Sequence, residues 1–192
     1  RGYKKEAVNL PNLTYIDNLE FAETGELASL SQALQSRRGR FQPTIVSYGD
    51  VLFNKYIPQA LCQEQDDCVI FVDSNWRDQS SYARLGGFAE CSIPNSRKAF
   101  NAKIHLKQLG KTLPEESIHG VWMGFLKLSS SAASQVNDLL LDMLADPANR
   151  RAGIPQLLQA LLKQDVPVRV LYTVGHWLDV NSLEDVVQAG NF

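Results

Sequence analysis

The chain has 192 residues, 44% of them hydrophobic and 21% charged, with a formal net charge of −2. That length supports one domain with a substantial core, spanning residues 1–192, and the composition is that of an ordinary globular protein. The charge balance supplies no basic field, so neither nucleic acid nor an anionic membrane surface is expected as a partner. Cys62, Cys68 and Cys91 are odd in number and lack metal-ligand spacing, so neither a disulfide framework nor a zinc site is expected, and a reducing cytoplasm fits best. No apolar run reaches the length of a membrane span, and the basic start Arg1-Gly2-Tyr3-Lys4-Lys5 leads into no signal-type segment. The start lacks an initiator Met, which leads us to expect a piece of a longer protein, with a possible fused or neighbouring domain.

Along the chain, Leu13-Thr14-Tyr15-Ile16 reads as a short strand, and Gly25 to Gln35 as a helix with Leu27, Leu30 and Leu34 on one face. Between them Glu23-Thr24-Gly25-Glu26 has two readings. Its amides, hydroxyl and flexible Gly suit an anion or a base edge, or Thr24 is a plain N-cap with Glu26 in the first turn. Arg37-Arg38-Gly39-Arg40 reads as a solvated basic helix end. Thr44 to Ser47 is an apolar strand running into Tyr48-Gly49-Asp50, followed by a helix-like run, Val51 to Ile57.

Cys68-Val69-Ile70-Phe71-Val72 is the continuous apolar run of a strand buried on both faces. Ser74 to Ser96 follows as a long polar stretch of the kind that forms binding loops or stays disordered. Ala102 to Lys107 alternates like a half-exposed strand, and Gly120 to Leu128 is a further strand. Ser129 or Ser130 is placed to cap a helix carrying Ala132, Val136, Leu139, Leu140 and Met143, which breaks at Asp146-Pro147. Ile154, Leu157, Leu158, Leu161 and Leu162 repeat the pattern on a second helix. Pro167 belongs at the opening or edge of the strand Val166 to Val174, because it donates no ladder hydrogen bond. Ser182-Leu183-Glu184-Asp185 starts a last helix with capping-box chemistry. Strands alternating with helices predict an α/β fold, a mostly parallel mixed sheet with helices on both faces.

Chemistry concentrates at the ends of strands, where open α/β sheets place their ligands. Asp50 and Asp179 each follow a predicted strand, and two carboxylates converging on one crevice suit Mg²⁺ with substrate phosphate oxygens completing its shell. Each acid also has a plain alternative, because Gly-Asp turns corners and caps helices and Asp179 could bond loop amides. His119 and His176 fit a ligand contact or a structural hydrogen bond, and neither lies in a His-Glu-x-x-His or Cys-His pattern. No Gly-x-Ser-x-Gly elbow is present. Trp122 and Met123 read as core.

Several of these pieces resemble, in order, the small nucleotidyltransferases of the phosphocholine and phosphonate cytidylyltransferase type, including transferase domains fused to phosphoenolpyruvate mutases. The match is carried by Gly2-Tyr3-Lys4, Asn18, Glu23-Thr24-Gly25-Glu26-Leu27, Ser29-Leu30, Ser47-Tyr48-Gly49-Asp50-Val51-Leu52-Phe53, Gly120 with Gly124, and Gly175-His176-Trp177-Leu178-Asp179-Val180 with Glu184-Asp185. The resemblance implies a Rossmann-like nucleotidyltransferase fold. Asp50 and Asp179 match the acids that hold a catalytic Mg²⁺. Asn18, Glu23, Thr24, Gly25, Ser29 and Tyr48 match the nucleotide side, and His119, Gly120 and Trp177 the acceptor side. The implied reaction transfers CMP from a nucleoside triphosphate, CTP favoured, to a small phosphonate or phosphate acceptor. The family's first strand and its Gly-rich loop with Arg and Lys are missing from this chain, and Val121 stands where similar sequences carry an acid. The resemblance therefore implies either the larger part of such an enzyme or a non-catalytic relative that has lost the phosphate loop. A sugar-phosphate nucleotidyltransferase is the nearer alternative.

Overall fold

The computed structural model describes residues 1–37, 39–78, 87–99 and 102–190. Its helices are α1 (Glu26–Gln35), α2 (Tyr56–Gln63), α3 (Ser130–Ala145), α4 (Ile154–Lys163) and α5 (Leu183–Ala189). Its strands are β1 (Thr44–Ser47), β2 (Val51–Phe53), β3 (Cys68–Asp73), β4 (Phe88–Cys91), β5 (Leu106–Gly110), β6 (Gly120–Leu128), β7 (Val168–Thr173) and β8 (Trp177–Asp179).

Six strands form one sheet in the order β5-β4-β6-β3-β7, with β1 also on β6, while β2 and β8 form a separate ribbon. The α/β architecture with helices on both faces is as expected, but the balance of the sheet is not. Among the described residues only β3 and β7 pair in parallel, and β1–β6, β3–β6, β4–β5 and β4–β6 are antiparallel. The alternation rule assumes that each strand returns through a helical crossover. Here β4 and β5 lie between β3 and β6 in the chain, and β6 enters the sheet antiparallel to its neighbours.

All of β3 and β6 is buried, and alternate residues feed two cores. Ile70, Val72, Trp122 and Leu126 pack with Leu27, Leu34, Val136, Leu140, Leu157 and Leu161 beneath α1, α3 and α4. On the opposite face Val69, Phe71, Met123 and Phe125 pack with Ile57 and Leu61 of α2 and with Val51 and Trp177 of the ribbon. Along one edge β6 pairs first with β4 and then with β1. Gly124 lies at that change of partner with φ +81°, and a Cβ there would sit 2.5 Å from the Tyr48 ring. Both the backbone and the close ring call for glycine.

Ser129 caps α3, its Oγ accepting the Ala132 N–H at 3.1 Å. Pro167 lies just before β7, as its missing donor requires. Other expectations shift. Leu13 to Ile16 forms no strand, and the strand expected at 102–107 lies at Leu106–Gly110. The helix-like run after Asp50 is first a strand, β2, and only then α2, because Val51, Leu52 and Phe53 pair with β8. The polar stretch 74–96 contains β4; its residues 79–86, like Arg38 of the basic loop, lie outside the described residues.

No helix among the described residues is long and apolar enough to cross a membrane. Cys62 is exposed, whereas burial pushes the Cys68 and Cys91 thiols up to about 11. At pH 8 a thiol reagent such as Ellman's should therefore titrate one group rapidly and the other two only after denaturation; two fast thiols in the native protein would contradict this packing.

Candidate functional site

The two acids singled out in the sequence line one cleft. Tyr48, Gly49 and Asp50 turn the chain from β1 into β2, and β2 pairs with β8 so that Val51 stands opposite Asp179. The Val180 N–H donates to the Asp50 carbonyl at 2.8 Å, which ties the two positions together. Asp50 is exposed and Asp179 is 6% exposed, yet both line one cleft of about 410 Å³. Among the described residues no three or more His, Cys, Asp or Glu side chains converge as a metal cage. A pair of hard carboxylate donors beside open space suits Mg²⁺, which keeps water and substrate oxygens in its shell, better than a closed structural zinc site.

Tyr48 is the third sequence-predicted residue that lines this cleft. Its ring meets Trp122 edge-on at 5.6 Å, and its hydroxyl donates to Glu26 Oε2 at 2.7 Å. Burial, then the Glu26 carboxylate, raises the phenol far above its ordinary range, so it stays protonated and donating. The same Glu26 oxygen accepts the Ile154 N–H at 2.9 Å at the start of α4. Beside it Gln156 Oε1 accepts the Gly153 N–H at 2.9 Å. The first amides of α4 are thus already engaged by this chain's own side chains.

Cations stand in the same cleft. Lys111, just past β5, and Arg151, just before α4, line it together with Gln156, Gln159 and Asn181. Sequence reasoning did not single out Lys111, Arg151 or the glutamines, and Glu26 figured only within the Glu23-Thr24-Gly25-Glu26 segment, not as a residue of the site. The available signal was position, since Lys111 follows a strand end at Gly110 and Arg151 precedes a helix start. The α1–α4 approach that assembles this wall is close. Gly25 N–H donates to the Arg150 carbonyl at 2.8 Å, and a Cβ on Gly25 would sit 2.4 Å from the Ala152 oxygen.

The remaining candidates lie elsewhere. Asn18 is buried and donates through Nδ2 to Thr24 Oγ1 and Ser29 Oγ, at 2.9 and 3.1 Å. Thr24 in turn donates to the Glu20 carbonyl, and Gly25 rather than Thr24 is the N-cap of α1. Glu23 pairs with Arg150. This turn satisfies itself, and apart from Tyr48 none of the expected nucleotide-side residues lines the cleft. On the expected acceptor side, His119 Nδ1 accepts the Cys91 N–H at 3.1 Å, a structural bond between β4 and the entry to β6. Gly120 packs so tightly on β3 that a Cβ would sit 2.4 Å from the Asp73 carbonyl oxygen. Trp177 is 3% exposed in the second core, and its indole N–H donates to Asp73 Oδ2 at 2.8 Å. None of the three lines the cleft. His176 is exposed, at φ 65°, with its ring against Tyr56.

No protein-family model and no curated protein matches the sequence. Solved structures do match in fold. The chain is similar to an inositol-1-phosphate CTP transferase from T. maritima, with TM-score 0.59 and 15% identity over 88% of this chain and 60% of that one. It is similar to an apo UDP-glucose pyrophosphorylase, with TM-score 0.63 and 13% identity over 93% and 62%. It is also similar to the CTP:phosphocholine cytidylyltransferase of Streptococcus pneumoniae, with TM-score 0.60 and 11% identity over 92% and 67%. The chain therefore has the Rossmann-like α/β fold that these nucleotidyltransferases share. The chain spans about three fifths to two thirds of the length of these proteins.

Proposed function

We propose that this chain is a nucleotidyltransferase domain of a Mg²⁺-dependent cytoplasmic enzyme that transfers CMP from CTP to a small phosphonate or phosphocholine-like acceptor. The observation that supports the reading is that Asp50 and Asp179 line one cleft together with Lys111 and Arg151. Asp50 and Asp179 would hold the ion, which when bound supplies charge neutralisation at the phosphates of the triphosphate. Lys111 and Arg151 suit the anionic groups that enter the cleft. Asn181, Gln156 and Gln159 offer neutral hydrogen-bonding groups for orientation.

In the proposed reaction an acceptor oxygen forms a bond to the α-phosphorus of CTP while the bond to the bridging oxygen breaks, releasing pyrophosphate. The protein's share is positioning and charge compensation, since no nucleophilic side chain is required. A sugar-phosphate acceptor is the second reading, favoured by the fold similarity to a UDP-glucose pyrophosphorylase.

The natural full-length protein should release pyrophosphate from CTP when given Mg²⁺ and phosphocholine or 2-aminoethylphosphonate, with little release from the other triphosphates. Release only with glucose-1-phosphate or a related sugar phosphate would select the second reading. No release with any acceptor would leave a non-catalytic relative of the fold.

A further inference from the structure

The ribbon that carries Asp179 lies on the second core through Val51 and Trp177 rather than within the main sheet. Strand β8 is three residues long and, among the described residues, pairs only with the equally short β2, too little for a ribbon to hold its own geometry alone. The turn before it places consecutive residues, Gly175 and His176, at φ 66° and 65°. Beside the Asn54 N–H on the His176 carbonyl, this turn is met by Asp73, the last residue of β3, whose side chain is fully buried. Its Oδ2 accepts the Trp177 indole N–H at 2.8 Å. Its Oδ1 accepts the Gly175 N–H at 3.2 Å and the Asn75 N–H at 2.9 Å. A buried carboxylate is costly unless its lone pairs are filled, and here two of its three donors belong to the segment leading to Asp179. Trp177 and Asp179 are two apart on a strand, hence on one face, and both are buried.

We propose that Asp73 is a positioning residue: through the Trp177 indole and the Gly175 amide it directs the Asp179 carboxylate toward Asp50. This rests on the reading of Asp50 and Asp179 as the metal-holding pair. Asp73 does not line the cleft. It acts on affinity from behind, as outer hydrogen-bond partners of metal-binding side chains do.

The test is Mn²⁺ affinity, read from the electron paramagnetic resonance of the free ion in titrations of the unsubstituted protein, Asp73→Asn, Trp177→Phe and Asp179→Ala. Circular dichroism confirms that each is folded at the temperature used. Asp73→Asn keeps the volume and one acceptor but cannot accept the indole N–H and both amides together. Trp177→Phe removes the indole donor alone and carries the test where Asp73→Asn fails to fold. Each should weaken Mn²⁺ binding about 10- to 100-fold, with the double variant no weaker than Asp73→Asn alone. Folded variants binding within twofold of the unsubstituted protein, while Asp179→Ala binds no Mn²⁺, would overturn the positioning role. Undiminished binding in Asp179→Ala would instead overturn the metal-pair reading beneath it.

Discussion

Asp50→Ala and Asp179→Ala should each reduce Mg²⁺-dependent pyrophosphate release by the full-length protein about 10³-fold, corresponding to about 4 kcal/mol of transition-state stabilisation. The reasoning is geometric. Both acids line the same cleft, and the Val180 amide bonded to the Asp50 carbonyl fixes one backbone against the other. Removing either leaves a single carboxylate, and an ion bound by one acid is positioned by its water rather than by the protein. The loss should fall mainly on kcat and on the Mg²⁺ dependence, while melting temperature changes little for the exposed Asp50. The double variant should be no worse than either single one, because the two act as a unit. Additive losses would mean separate roles, and turnover within threefold of the unsubstituted protein in both single variants would remove the metal assignment.

How far the sequence foretells this arrangement depends on where each feature's cause lies. The strands β3 and β6 and the helices α3 and α4 are legible because their signals are local, namely unbroken apolar runs and a spacing of three and four. The ribbon is not legible. Val51 to Phe53 looks like the opening of a helix until it is paired with Trp177 to Asp179, a partner far away in the chain. Leu13 to Ile16 shows the reverse failure, for a strand-like pattern without a partner strand makes no strand. In the cleft the two acids are visible because each follows a predicted strand. Glu26 is not, because its role arises only where α1 meets α4, its carboxylate reaching a backbone N–H 128 residues away. His119 and Trp177 show what position in a motif leaves open, namely which partner the side chain bonds. His119 is bonded to the Cys91 amide and Trp177 faces the core.

Trp122→Ala should destabilise the fold by about 3–5 kcal/mol. Trp122 is completely buried in the first core, near the change of partner strand along β6. Its truncation removes the packing of a large ring and also the indole N–H, which donates to the Phe125 carbonyl at 2.8 Å across the Gly124 irregularity. That buried acceptor then lacks this donor, a further cost of about 1–3 kcal/mol. Since a domain of this kind has only about 5–15 kcal/mol of stability in all, the variant should lie close to the threshold of unfolding. Trp122→Phe separates the two contributions, keeping most of the volume while losing the donor, and should fall well short of the alanine variant. As a surface control, Leu141→Ala on α3, at 47% exposure, should change stability by no more than about 0.5 kcal/mol. Urea unfolding reads all three, with a lower midpoint at unchanged slope expected for the tryptophan variants. The ring is also the wall against which Tyr48 rests, so Trp122→Phe should weaken the Tyr48–Glu26 contact and lower turnover more than its stability loss alone would. Trp122→Ala within about 1 kcal/mol of the unsubstituted protein would mean that the core repacks around the gap, and that Tyr48 is held in the cleft by Glu26 rather than by the sheet beneath it.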